Sequence, residues 1–171
     1  MSERAEFEIS KQKLDRDIAF LVERLAANAG RWRAVIGVAN GGIYPAGKVA
    51  DQLGLEYREI RISSYHGKSK SQLEIVRMID DAEQGHGFLI IDDVVDSGGT
   101  ALAIHQILPR ADFISIYAES DGLRKMQALG QWHRYIEQYP QDLWLVFPWD
   151  QKNWADEVPL SVAEYRRNAG T

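Results

Sequence analysis

The sequence predicts an α/β fold, a mostly parallel central sheet flanked by helices, on three observations. Continuous apolar runs recur at residues 34–38, 88–91 and 113–117. The first two lead into glycine-bearing turns, Asn40-Gly41-Gly42 and Ser97-Gly98-Gly99-Thr100, and each turn opens a stretch of helical periodicity. Runs without polar alternation suit strands buried on both faces, and repeated strand–turn–helix units suit parallel strands joined by crossover helices.

Each element follows from its pattern. Between residues 10 and 27, Leu14, Ile18, Leu21, Val22 and Leu25 recur at helical spacing and Gly30 supplies a stop, which predicts an amphipathic helix packed on the sheet. Ala34-Val35-Ile36-Gly37-Val38 reads as a strand, and Ile43, Ala46, Val49, Ala50 and Leu53 as the inner face of the next helix. Residues 56–62 have strand character, and the polar, glycine-containing residues 63–71 read as a mobile loop. Phe88-Leu89-Ile90-Ile91 is a strand, residues 100–108 suit a helix, and Phe113-Ile114-Ser115-Ile116-Tyr117 is a third buried strand. After Gly122 the aromatics Trp132, Tyr135, Tyr139, Trp144, Phe147, Trp149 and Trp154 crowd together and suggest a small lobe or hood. A further helix is expected over residues 161–167. Residues 1–171 then form a single domain, with a core over about 31–122, a hood over about 123–150 and a tail over 151–171.

Composition narrows the function. A chain of 171 residues with 45% hydrophobic content holds one well-buried core and is too short for two full domains. A net charge of -5 argues against nucleic acid as a partner, because phosphate-backbone binding needs a face rich in Lys and Arg. There is no cysteine, so neither a disulfide framework nor a thiolate metal site is possible, which is compatible with a cytoplasmic protein. The charged N-terminus lacks the apolar centre of a signal peptide, and no integral membrane segment is expected. The histidines His66, His86, His105 and His133 fit no metal-ligand spacing and receive no role.

The chemistry concentrates after residues 88–91. Three carboxylates, Asp92, Asp93 and Asp96, are followed by Ser97-Gly98-Gly99-Thr100 and a helix start. Glycines let the backbone approach a phosphate, and the amides of a helix N-terminus supply positive charge without Lys or Arg. Ser97 and Thr100 add hydroxyl donors. The acidic pair would repel a bare phosphate, so it suits the hydroxyls of a ribose and a hard cation such as magnesium. Sugar, metal and phosphate are thereby brought to one loop, at the carboxyl ends of the strands where α/β sheets bind ligands.

From residue 89 to 101 the sequence resembles the signature of the type I phosphoribosyltransferases, and it is similar in particular to the bacterial xanthine-guanine group. Ile36-Gly37-Val38-Ala39-Asn40-Gly41-Gly42 resembles their pyrophosphate loop, and Ile62-Ser63-Ser64-Tyr65 the start of their mobile loop. Pro140-Gln141-Asp142-Leu143-Trp144 and Pro148-Trp149-Asp150 resemble their base-binding hood. The resemblance implies transfer of a phosphoribosyl group from phosphoribosyl pyrophosphate to a free purine base with release of pyrophosphate, in a homo-oligomer, dimer or tetramer. It assigns Asp92 and Asp93 to the ribose hydroxyls, Asp93 to magnesium as well, and Ser97, Gly98, Gly99 and Thr100 to the 5'-phosphate. Asp96 is placed beside the purine N7 as general acid/base. Asn40 and Gly41 would donate backbone amides to pyrophosphate, although Asn-Gly is also an ordinary turn. Ser64 and Tyr65 would close over substrate; Lys68 and Lys70 of the same loop either meet the pyrophosphate or are simply solvated. Trp144 would stack on the base and the backbone of Leu145 would read its edge. Trp149 and Trp154 read as packing residues, and Asp150 either serves the metal or caps a turn.

Three positions depart from the relatives: Asn40 stands where they usually carry Arg, Val146 where a polar residue is expected, and Glu119 where enzymes for 6-oxopurines carry a lysine that meets the exocyclic oxygen. Glu119 would favour an aminated base, or be compensated by Arg124 or Lys125, or lie on the surface without a role. A non-catalytic protein that keeps the same pocket as a sensor of phosphoribosyl pyrophosphate is the second functional class; it would require a partner-binding surface, and this acidic chain offers no basic face for nucleic acid.

Overall fold

The computed structural model describes residues 4–62, 83–128, 134–154 and 157–170. In chain order these form β1 (Ala5–Glu8), α1 (Lys11–Ala26), β2 (Ala34–Ala39), α2 (Ile43–Leu53), β3 (Glu56–Arg61), β4 (Phe88–Val95), α3 (Gly99–Ile107), β5 (Asp112–Glu119), α4 (Ser120–Ala128), β6 (Glu137–Tyr139), β7 (Leu143–Val146) and α5 (Leu160–Ala169). The central sheet has the order β3-β2-β4-β5-β6, and every neighbouring pair is parallel. This is the predicted mostly parallel sheet with helices packed against it.

Strand alternation explains the apolar runs. Val35, Leu89, Ile91, Ile114 and Ile116 join one core with Leu14, Ile18 and Leu25 of α1 and Val49 and Ala50 of α2. Their neighbours Ala34, Ile36, Val38, Phe88 and Ile90 join a second core with Ile104 and Leu108. Successive side chains point to opposite faces, so a strand between two cores must be apolar at every position. Ser10 caps α1, its Oγ accepting from the Lys13 amide at 3.1 Å. Asp17 lies on the buried face of α1 and accepts from Lys13 Nζ at 2.7 Å and from the Tyr117 hydroxyl at 2.8 Å, tying helix to sheet.

Two features differ from the expected boundaries. First, β4 does not end at Ile91 but runs to Val95, because its pairing with β5 continues through Asp92↔Ser115, Val94↔Tyr117 and Val95↔Ala118. Asp92 and Asp93 are therefore strand residues rather than loop residues. Second, the N-terminal segment is a strand: β1 pairs in parallel with β7, with Glu6 opposite Trp144 and Phe7 opposite Leu145. The tail is held against the core, since the Asp51 carboxylate of α2 accepts from the amides of Leu160 and Ser161 at 2.9 and 2.8 Å and Val162 is buried.

Candidate active site at the ends of strands β2, β4 and β5

The first wall is the turn between β2 and α2. The Ala39–Asn40 peptide is cis, and the Gly42 amide donates to the Val38 carbonyl at 2.7 Å. This turn presses on the end of β4: a methyl group at Gly41 would overlap the Asp93 carboxylate, and one at Gly42 would overlap the Ile91 carbonyl oxygen. Only glycine permits that approach. The Asn40 side-chain oxygen accepts from Arg61 Nη1 of β3 at 3.0 Å, so a guanidinium from the neighbouring strand stands beside the turn.

The second wall is the end of β4 and the loop into α3. Asp92 is buried and its Oδ1 accepts from the Asp93 amide at 2.9 Å; Asp93 Oδ1 accepts from the Val94 amide at 2.7 Å. Burial, and then the charge of Asp93, pushes the Asp92 carboxyl well above its ordinary range; burial raises Asp93 too. Two adjacent carboxyls that resist ionisation are stabilised by a cation between or beside them. Among the described residues no cluster of three or more acidic or histidine side chains forms a cage. One or two carboxylates suit magnesium, which keeps several waters and completes its shell with substrate phosphates.

Beyond the pair, Gly98 sits at φ +81° and opens α3, whose first turn contains Gly99 and Thr100. Ser97, Gly99 and Thr100 are exposed. Their position at the unpaired N–H groups of a helix start forms a cradle for an anion. Gly122 in the first turn of α4 packs under this loop, where a methyl group would stand 2.5 Å from the Asp96 carbonyl oxygen.

The third wall is the base side. Asp96 Oδ1 accepts from Gln141 Nε2 at 2.5 Å. Glu119 is the last residue of β5, and β4–β5 pairing carries it beside Asp96. It is 3% exposed, and its Oε2 has no hydrogen-bond partner. Burial, followed by the neighbouring Asp96 carboxyl, pushes Glu119 up to about 7. Arg4, just ahead of β1, reaches both acids: its Nη1 lies 3.5 Å from Asp96 Oδ2 and 3.6 Å from Glu119 Oε2. Sequence reasoning missed Arg4, because only the pairing of β1 with β7 brings it here. Arg124 instead pairs with Asp121 on an exposed face, and it does not compensate Glu119.

The hood residues divide. Trp144 is 53% exposed on β7, while Leu145 is buried. Trp149 stacks on Phe147 with centroids 4.8 Å apart and neighbours Trp154 and Tyr44, an arrangement of core packing. Asp150 accepts from the Phe147 amide at 2.9 Å and so caps its turn, although its charge also raises Asp93. Ser64, Tyr65, His66, Lys68, Lys70 and His133 lie outside the described residues.

A helix start, an acidic pair with Asp92 buried, and a second glycine turn are gathered at the carboxyl ends of a parallel sheet, an arrangement of an α/β protein suited to an anionic ligand. Residues 8–116 match the family model of the phosphoribosyl transferase domain, which is more than half of the chain, and the protein belongs to that family. Its fold is also that of solved relatives. A purine phosphoribosyltransferase from Pyrococcus horikoshii is 20% identical over 89% of this chain and 99% of its own, with a TM-score of 0.61. A hypothetical protein from Neisseria gonorrhoeae with bound ppGpp is 18% identical over the whole of both chains, with a TM-score of 0.66. The Helicobacter pylori xanthine-guanine-hypoxanthine phosphoribosyltransferase is 18% identical over 85% of this chain and 93% of its own, with a TM-score of 0.60. At these identities the likeness is one of fold. Among the described residues no helix is long and apolar enough to cross a membrane.

Proposed function

We propose that the protein is a magnesium-dependent purine phosphoribosyltransferase of salvage, joining a free base to the ribose of phosphoribosyl pyrophosphate with loss of pyrophosphate. One observation carries the reading: at the end of β4 the buried Asp92 and the half-buried Asp93 run through Asp96 directly into the Ser97–Thr100 turn and a helix start. Carboxyls suited to ribose hydroxyls and a metal thus adjoin a helix start suited to a phosphate, which supports the reading.

The residues divide the work. Asp92 and Asp93 hold the ribose hydroxyls, with Asp93 facing the magnesium, which when bound offsets the charge of the leaving pyrophosphate. The amides of Gly98, Gly99 and Thr100, with the hydroxyls of Ser97 and Thr100, hold the 5'-phosphate. The Asn40–Gly41 turn, pressed against Asp93, presents amides to the pyrophosphate, and Arg61 beside it supplies positive charge. Asp96 accepts or relays the proton of the reacting ring nitrogen. Trp144, more than half exposed, offers an indole face to a planar base, and the Leu145 backbone lies beside it.

Incubation with phosphoribosyl pyrophosphate, magnesium and a panel of xanthine, guanine, hypoxanthine, adenine and pyrimidine bases tests this reading through pyrophosphate release. Turnover of at least one purine is the expected result. Tight binding of phosphoribosyl pyrophosphate without turnover of any base would replace it with the sensor function.

A further inference from the structure

We propose that Arg4 is the specificity-determining cation of the base pocket, held there by Glu119, and that it selects a base presenting an exocyclic oxygen rather than an amino group. The proposal rests on the phosphoribosyl-transfer reading above and deepens it.

Beside Asp96 the structure brings together two carboxyls and one guanidinium. Without Arg4, Asp96 and Glu119 would offer only acceptors when ionised, and such a pocket would take an amino group. Arg4 reverses that character. Its Nη1 stands 3.5 and 3.6 Å from the two acids, distances at which charge positions it while full hydrogen bonds are not made. The guanidinium carries five N–H donors in a planar fork, so donors remain for a ligand. The Arg4 side chain is 34% exposed and therefore reachable, whereas the Glu119 side chain is 4% exposed and enclosed behind it.

Glu119 explains why the cation sits where it does. A buried carboxylate oxygen without a hydrogen-bond partner is costly and has to be offset by a nearby charge. Among the described groups that act most strongly on Glu119, Asp96 and Asp121 share its sign, and Arg4 is the cation that faces it. The pair is thus asymmetric: Glu119 is a positioning residue that fixes the guanidinium, and Arg4 is the group that touches the base. The parallel pairing of β1 with β7 brings Arg4, just ahead of β1, to Asp96 and the end of β5.

Hypoxanthine and adenine differ at this edge by an oxygen in place of an amino group, so their kcat/KM ratio isolates the contact. Steady-state rates are measured for the full chain and for Arg4→Gln, with magnesium and saturating phosphoribosyl pyrophosphate. Wild type should prefer hypoxanthine. In Arg4→Gln the preference should fall on the order of tenfold to a hundredfold, the range expected for loss of a charged hydrogen bond, and the loss should fall in KM for the base. Adding Glu119→Lys in the Arg4→Gln background supplies a cation from the opposite side and should restore part of the preference. A melting curve for each variant separates unfolding from altered selectivity.

A preference unchanged in Arg4→Gln overturns the proposal while leaving phosphoribosyl transfer intact. Faster use of hypoxanthine in Arg4→Gln would show that Arg4 blocks the pocket, and adenine preference in wild type would show that the acids set the choice; either overturns the proposal. Failure of wild type to turn over any base overturns the enzymatic reading and this one with it.

Discussion

Replacing Glu119 by Gln should stabilise the protein, and the gain should depend on pH with a defined sign. The folded chain pushes this carboxyl from its ordinary 4.5 up to about 7, so between those values the native state holds a proton that the unfolded chain has released. Stability therefore falls as pH rises through this window, and the penalty is complete above about pH 7. At about 1.4 kcal/mol per pH unit the ceiling is about 3 kcal/mol. Screening from the open side of the pocket and the loss of a partner for Arg4 reduce it, leaving about 1–2 kcal/mol, or a few degrees in Tm for a chain of this size. Glutamine does not titrate, so the difference between variant and wild type should be small near pH 5 and reach its plateau near pH 8. Asp92 and Asp93 also resist ionisation, but they are present in both proteins and cancel. Urea titrations at pH 5, 6, 7 and 8 measure the difference. A gain independent of pH, or a variant less stable at pH 8 than wild type, would refute the idea that Glu119 is ionised against the preference of the fold.

Other substitutions probe the remaining walls. Asp96→Asn should cut kcat by on the order of a hundredfold or more with an unchanged melting curve, as expected for loss of a general acid/base; full activity would remove Asp96 from the mechanism. Gly41→Ala should collide with Asp93, costing about 1–3 kcal/mol and raising KM for phosphoribosyl pyrophosphate, seen by denaturant titration together with kinetics. Arg61→Ala removes the guanidinium beside Asn40 and should raise KM for phosphoribosyl pyrophosphate several-fold while leaving that for the base in place. Asp17→Ala strips the buried Tyr117 hydroxyl of its acceptor and leaves Lys13 with Glu137 alone, and should lower stability by about 2–4 kcal/mol without reaching the site.

The parts legible in sequence are those whose cause is local. Strands β2, β4 and β5 announce themselves because burial on two faces forces an unbroken apolar run, and α1 because Leu14, Ile18, Leu21 and Leu25 share one face. The phosphate loop is likewise a contiguous motif. Misjudged boundaries have a physical reason too. Asp92 and Asp93 look like loop residues by polarity, yet pairing with β5 keeps them in the strand. The short strands β1, β6 and β7 carry too few residues for alternation to show, and their existence depends on partners far away in the chain. Arg4 is invisible for the same cause: no local pattern tells an N-terminal arginine that it will meet the end of β5. Glu119 stands out in sequence as a departure from the relatives, but the sequence does not show the cation that faces it.

Charge placement connects the two halves of the site. On the proposed reading a chain with net charge -5 would receive a polyanionic substrate with few side-chain cations: the amides of two glycine turns and a helix start, Arg61 at the edge, and an acidic pair whose raised pKa values favour a bound cation. On the base side the problem is inverted. A base would be neutral, so a buried charge is useful there only if it is held in place; burial and Asp96 raise the Glu119 pKa, and the facing Arg4 offsets part of that rise. In the proposed reading the same physical device, a carboxyl disfavoured by burial, serves two ends: at Asp92 and Asp93 it would receive a cation from solution, and at Glu119 it faces one supplied by the chain itself.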